Sequence, residues 1–131
     1  MAVRLALLLL LLLAPAALAD AGDRFPQPVR ASDLIGRKLI GAEEAQPLLG
    51  HVEGVRREAD GTLLLQVRTW SLLPWRNRTV LVPLGDVALL GEEVALTGLR
   101  SDGLSALPTG DAGQAVPPDE QIKVGLAKPF H

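Results

Sequence analysis

Residues 49–69 read L-G-H-V-E-G-V-R-R-E-A-D-G-T-L-L-L-Q-V-R-T, and residues 79–87 read T-V-L-V-P-L-G-D-V. Apolar side chains recur at every second position through most of both stretches, the pattern of a half-buried β-strand. Ala59-Asp60-Gly61 falls where the first stretch must reverse, so it splits into a hairpin with strands over 50–58 and 62–69. Leu63, Leu65 and Val67 share one face of the second strand, and Leu64, Gln66 and Arg68 share the other. Val52 and Val55 are three apart rather than two, with Gly54 between them. A glycine there predicts a bulge that brings both valines inward. Thr79–Pro83 makes a further strand with Val80 and Val82 on the core face. Pro83 lacks a backbone donor and ends that strand or lies on an edge.

Working outward, Ser32-Asp33-Leu34-Ile35-Gly36 predicts a short turn that drops Leu34 and Ile35 into the core before a strand over 37–40. Residues 41–48, with Glu43, Glu44 and Pro47, predict a solvated loop. Strands over 87–89 and 93–96 follow, joined by Leu90-Gly91-Glu92. Ser101-Asp102 predicts a helix N-cap for a single turn ending near Leu107-Pro108. Leu104 and Leu107 on one face of that turn would plug an open end of the domain. From 110 the chain is rich in Gly, Pro and Asp and predicts a linker and tail over 110–131. Within it, Ile122, Val124 and Leu126 alternate, which fits either one edge strand or a disordered tail.

The first nineteen residues predict a secretory signal peptide: Arg4, an apolar run over 5–13, and the small-x-small triplet Ala17-Leu18-Ala19. The run falls short of the ~20 residues that span a bilayer. Cleavage after Ala19 makes Asp20 the expected mature N-terminus and the periplasm or the medium the expected compartment. Residues 20–31 predict an extended leader, and 32–109 the folded domain. With no cysteine the fold has no disulfides and no lipid-modified cysteine. No stable membrane anchor is expected once the signal is removed.

Loss of Arg4 leaves twelve basic against fifteen acidic residues, a net charge near −3. That mild acidity argues against nucleic-acid binding, which needs Lys and Arg to neutralise phosphates. The bias toward Leu, Ala, Arg and Gly fits a GC-rich bacterium, which makes Asn77-Arg78-Thr79 a chance glycosylation match.

Several short motifs, taken in order, resemble the PRC-barrel domain family. Asp33-Leu34-Ile35-Gly36-Arg37-Lys38-Leu39 resembles its S-x-L-I-G-x-x-V opening, and Leu49-Gly50-His51-Val52-Glu53-Gly54-Val55 its I-G-x-V-x-D-V strand. Asp60-Gly61 with Leu63 to Val67 is similar to the family's turn and next strand. Val80-Leu81-Val82-Pro83-Leu84-Gly85-Asp86-Val87 resembles V-A-V-P-x-x-x-V, and Leu99 to Pro108 its closing T-x-x-x-L-x-x-L-P. The resemblance covers about 32–109 and implies an all-β fold, a small antiparallel barrel with one short helical turn. It also implies a module for protein contacts, with no catalytic residue to carry over. Two features depart from the pattern: the polar 41–48 loop, and Trp70 to Arg78 in place of a glycine-rich connection.

Catalysis has little to build on. The histidines are His51, on a strand, and His131, the last residue. Without Cys or a His pair a zinc site is not expected, and no calcium-loop spacing or phosphate-binding glycine loop occurs. Glu43-Glu44, Glu92-Glu93 and Asp119-Glu120 read as solvated loop pairs. No enzyme, cofactor or metal is expected.

Trp70-Ser71-Leu72-Leu73-Pro74-Trp75-Arg76-Asn77-Arg78 is the stretch with functional promise, because it carries both tryptophans of the chain. One reading folds it back as a cap on a core that lacks other aromatics. The other makes Trp70, Leu72, Leu73, Trp75, Arg76 and Arg78 a partner contact, since Trp and Arg dominate binding hot spots. The cap is the favoured outcome for Trp70, which adjoins a strand; the contact is favoured for Trp75, beyond Pro74. Two buried indoles remove ~300–500 Å², worth at most ~7–12 kcal/mol, against about 4–15 kcal/mol lost on association. Such a contact is transient. The leading functional expectation is a non-catalytic, exported protein-interaction or scaffold module with a protein partner in the cell envelope. The alternative is binding of a small ligand or envelope surface at the barrel mouth and the 70–78 loop.

Overall fold

The computed structural model describes residues 25–110 and 112–127. The expected signal peptide, residues 20–24 of the leader and His131 lie outside the described residues. The hairpin at the centre forms as the alternation requires, with β3 (Leu48–Arg57) and β4 (Leu63–Thr69) antiparallel. At its turn the Asp60 carboxylate accepts the Thr62 N–H at 2.9 Å, and Gly61 takes the left-handed φ of +92° that favours glycine. The register slips between Val52 and Gly54. This bulge leaves Val52 and Val55 both buried.

Strand β5 (Thr79–Pro83) pairs antiparallel with β4, placing Leu65 opposite Val82 and Val67 opposite Val80. All four side chains are fully buried. Such cross-strand pairs are the unit of sheet stabilisation. Around this hairpin lie β1 (Gln27–Arg30), α1 (Ala31–Leu34), β2 (Lys38–Gly41), β6 (Val87–Leu90), β7 (Glu93–Leu96), β8 (Gln114–Ala115) and β9 (Gln121–Leu126). Three 3-10 turns, Pro74–Arg76, Leu84–Asp86 and Ser101–Ala106, fill connections.

The fold is all-β with a short helix, and its strands make one nine-stranded sheet in the order β1-β9-β6-β7-β2-β3-β4-β5, with β8 on β3. One core cluster draws on Leu39, Val52, Leu65, Val80, Val94 and Val124, from six of the strands. The sheet therefore curls about a single interior. It is not closed into the expected barrel. The outer edge of β5 is occupied instead by the 108–110 segment: the Leu81 N–H donates to the Pro108 carbonyl at 2.9 Å and the Gly110 N–H to the Thr79 carbonyl at 3.2 Å. Nor is the sheet wholly antiparallel, since β2 runs parallel to β7 and β6 parallel to β9.

The sheet also extends beyond 32–109 at both ends. Residues 27–30 of the expected leader form β1, and residues 121–126 of the expected tail form β9, an interior strand between β1 and β6. Ile122 and Val124 are buried there while Leu126 is exposed. Leu34 is fully buried as expected, but Ile35 is 48% exposed. The single turn of α1 ends at Ile35, whose extended backbone carries its side chain away from the core. Leu64 and Leu81 do lie on the face opposite the core, yet both are buried, sharing a small apolar cleft with Leu107, Pro108 and Ala112.

Candidate interaction surface

The connection between β4 and β5 leaves the end of the sheet through a closed neck. The Thr69 N–H donates to the Arg78 carbonyl at 2.8 Å. The Thr69 hydroxyl accepts the Arg78 N–H at 3.0 Å. One residue further, the Trp70 N–H donates to the Leu49 carbonyl at 2.9 Å, which ties the loop to β3. Beneath this point Gly50 packs so closely on β4 that a Cβ would meet the Arg68 carbonyl oxygen. Within the loop the Ser71 hydroxyl accepts the Leu73 N–H at 3.2 Å, and the Arg76 N–H donates to the Leu73 carbonyl at 2.9 Å. The backbone of 69–78 is thus held by its own hydrogen bonds.

The tryptophans and leucines of the loop face outward. Leu72 is 83% exposed, Trp75 77%, Trp70 50% and Leu73 37%. Trp70 therefore does not seal the core as its position beside β4 suggested. Its strand ends at Thr69, and the next side chain emerges past the last pair of the ladder. The two indoles keep the expected order, Trp75 being the more exposed. Four of the seven exposed large apolar side chains among the described residues belong to this loop.

The arginines differ from each other. Arg76 is exposed, whereas Arg78 is half-buried and its Nη2 donates to the Ser105 carbonyl at 2.6 Å. That bond links the neck of the loop to the Ser101–Ala106 turn. Between them lies a groove of about 590 Å³, bounded by Trp70, Arg76 and Arg78 on one side and Ser101, Asp102 and Ser105 on the other. The turn is not capped by Ser101 as expected: Arg100 holds the N-cap position, without a side-chain bond. The Ser101 hydroxyl instead donates to the Glu43 carboxylate at 2.7 Å, and the Ser101 N–H donates to Glu43 Oε1 at 3.1 Å. The Ser101 hydroxyl above all holds the Glu43 carboxyl below the usual carboxylate range. The 41–48 loop is exposed over 43–46, as expected, and is tied to the turn through Glu43.

Sequence reasoning missed Ser105, Glu43 and Thr69 as the residues that position this surface. No spacing signals them, because Arg78 and Ser105 are 27 residues apart and Glu43 and Ser101 are 58 apart. A second cleft, about 700 Å³, lies by Arg57 and Glu120, where the guanidinium and carboxylate satisfy each other. His51 is exposed on β3. Among the described residues no three His, Cys, Asp or Glu side chains converge as a metal site would require. Nor, among them, is any helix long and apolar enough to cross a membrane. No protein-family model matches this chain, and no curated protein matches it.

Proposed function

We propose that this chain is a non-catalytic, exported interaction module of the bacterial periplasm, with a PRC-barrel-like strand sequence and the loop Trp70 to Arg78 as its contact face. The observation that carries this reading is the outward presentation of Trp70, Leu72, Leu73 and Trp75 on a backbone held closed at Thr69 and Arg78. Contiguous exposed apolar side chains mark interaction sites, whereas single ones need no explanation. The order of strand motifs supports the family resemblance, and the apolar run before Ala17-Leu18-Ala19 supports export. A protein in the cell envelope is one occupant of such a face. An envelope surface is the other, and the strong exposure of Leu72 and Trp75, beyond the groove that Trp70 and Arg76 line, favours it.

The chain has no cysteine, so a single introduced thiol reports on one position. Leu72→Cys should react with maleimide far more slowly in the native envelope fraction than after purification. Glu92→Cys, in the exposed turn between β6 and β7, should react alike in both. Equal reactivity of Leu72→Cys in both settings would sink the contact-face reading, whatever the occupant.

A further inference from the structure

We propose that the occupant of the Trp70 to Arg78 loop is an anionic phospholipid surface, which the apolar tip enters while the arginines meet the headgroups. This rests on the loop being the contact face and names what it contacts. Shape is the first argument. The apolar side chains stand on the end of a two-strand hairpin, with Leu72 and Trp75 more than three-quarters exposed. A stable protein interface needs a face of about 800 Å² per partner with complementary shape, whereas Leu72 and Trp75 project outside the groove that Trp70 and Arg76 line. A bilayer accepts a narrow tip without a complementary cavity. Indoles suit that boundary because each joins an apolar body to one N–H donor.

Charge is the second argument. From Gly61 to Gly85 the chain carries Arg68, Arg76 and Arg78 and no acidic residue, while all fifteen Asp and Glu lie elsewhere. Asp102, the acid of the adjoining groove, has the Arg100 guanidinium at 3.7 Å. A chain of net charge −2 is not drawn to an anionic surface as a whole. Its local cationic end orients it, loop first, and each arginine near the surface adds attraction that falls off within a Debye length. The neck bonds at Thr69 and Arg78 present the tip ready-made, so docking requires no folding step. One small tip gives reversible adsorption rather than an anchor.

The molecule carries its own probe. Trp70 and Trp75 are its only tryptophans and it has no tyrosine, so intrinsic emission reports on this loop alone. The processed chain, its N-terminus defined by intact mass, is titrated with vesicles of phosphatidylglycerol and phosphatidylethanolamine. Emission should shift to the blue and be quenched by lipids brominated on the acyl chain. Leu72→Asp, at an exposed position, should weaken partitioning about tenfold or more, and Arg76→Gln about fivefold at low salt. No shift, a shift that Leu72→Asp leaves intact, or equal binding to pure phosphatidylcholine overturns the proposal. Slow maleimide reaction of Leu72→Cys in the envelope without vesicle binding would overturn the lipid and leave a protein as occupant. Failure of both experiments removes the contact face itself.

Discussion

The Arg57 guanidinium grips the Glu120 carboxylate across 63 residues of sequence, with Nη1 donating to Oε1 at 3.3 Å. The backbone carbonyl of Glu120 meanwhile accepts the Ala31 N–H at 2.9 Å. One residue thus fastens the end of β3, the start of α1 and the approach to β9. The Arg57 hydrogen bond holds the Glu120 carboxyl below its ordinary value of 4.5. Depression of a folded-state carboxylate stabilises the fold above the ordinary value, and that contribution fades as pH falls through the folded-state value. Glu120→Gln should therefore lower the melting temperature at neutral pH and narrow its gap to the wild type in acid. A gap that stays constant from pH 7 to about pH 3 would show that the pair is not linked to folding.

The facing of β4 is tested by a pair of substitutions. Leu65 is fully buried, and Leu65→Ala should cost ~2–5 kcal/mol in urea melts. Arg68 is exposed on the opposite face, and Arg68→Ala should stay within about 0.5 kcal/mol. Comparable losses would place the register one residue out.

Gly50→Ala probes the close approach that positions the loop. The new methyl would meet the Arg68 carbonyl oxygen, with the Thr69 Cα only 3.1 Å away. Backbone cannot yield as a side chain can, so a loss of about 1–3 kcal/mol is expected. Tryptophan emission should change with it, because Leu49 and Thr69 hold the neck of the loop. Wild-type stability would mean that β3 and β4 can separate there at no cost.

In solution without lipid, both tryptophans should be readily quenched by acrylamide. Trp75→Ala should leave the melting curve within about 0.5 kcal/mol. Trp70→Ala should cost less than the ~3–5 kcal/mol of a buried aromatic. Blue-shifted, protected emission in the isolated protein would restore the cap and remove the exposed tip.

Export is checked by mass. The mature chain should begin at Asp20 and fractionate with soluble periplasmic proteins, as the Ala17-Leu18-Ala19 triplet predicts. Met1 retained on membrane-bound protein would count decisively against it.

What local sequence could say, it said well. The bulge at Gly54 and the inward set of Leu65, Val67, Val80 and Val82 follow from periodicity within a few residues, and the structure has them. Decisions between distant segments left no such trace. Ile122 and Val124 alternate like a strand, but nothing in them states that β1 and β6 lie on either side. Closure failed as an expectation because the 108–110 segment takes the edge of β5, a competition invisible in either segment alone. At the candidate site the composition of the loop was plain and its burial was not. Adjacency to a strand suggested a covered Trp70, whereas β4 ends at Thr69 and leaves the indole half exposed.

The place of β9 has a consequence for how this molecule comes into being. Among the described residues β1 has no sheet partner but β9, and their register sets Arg30 opposite Gln121, a closure of about ninety residues. Until residues 121–126 have been synthesised, β1 has nothing to zip onto and the edge of β6 stands open. Non-local closures of this kind slow the search for the native state. The strands β6-β7-β2-β3-β4-β5 pair with one another without β9, so β1 and β9 are the part of the sheet that waits for residues 121–126.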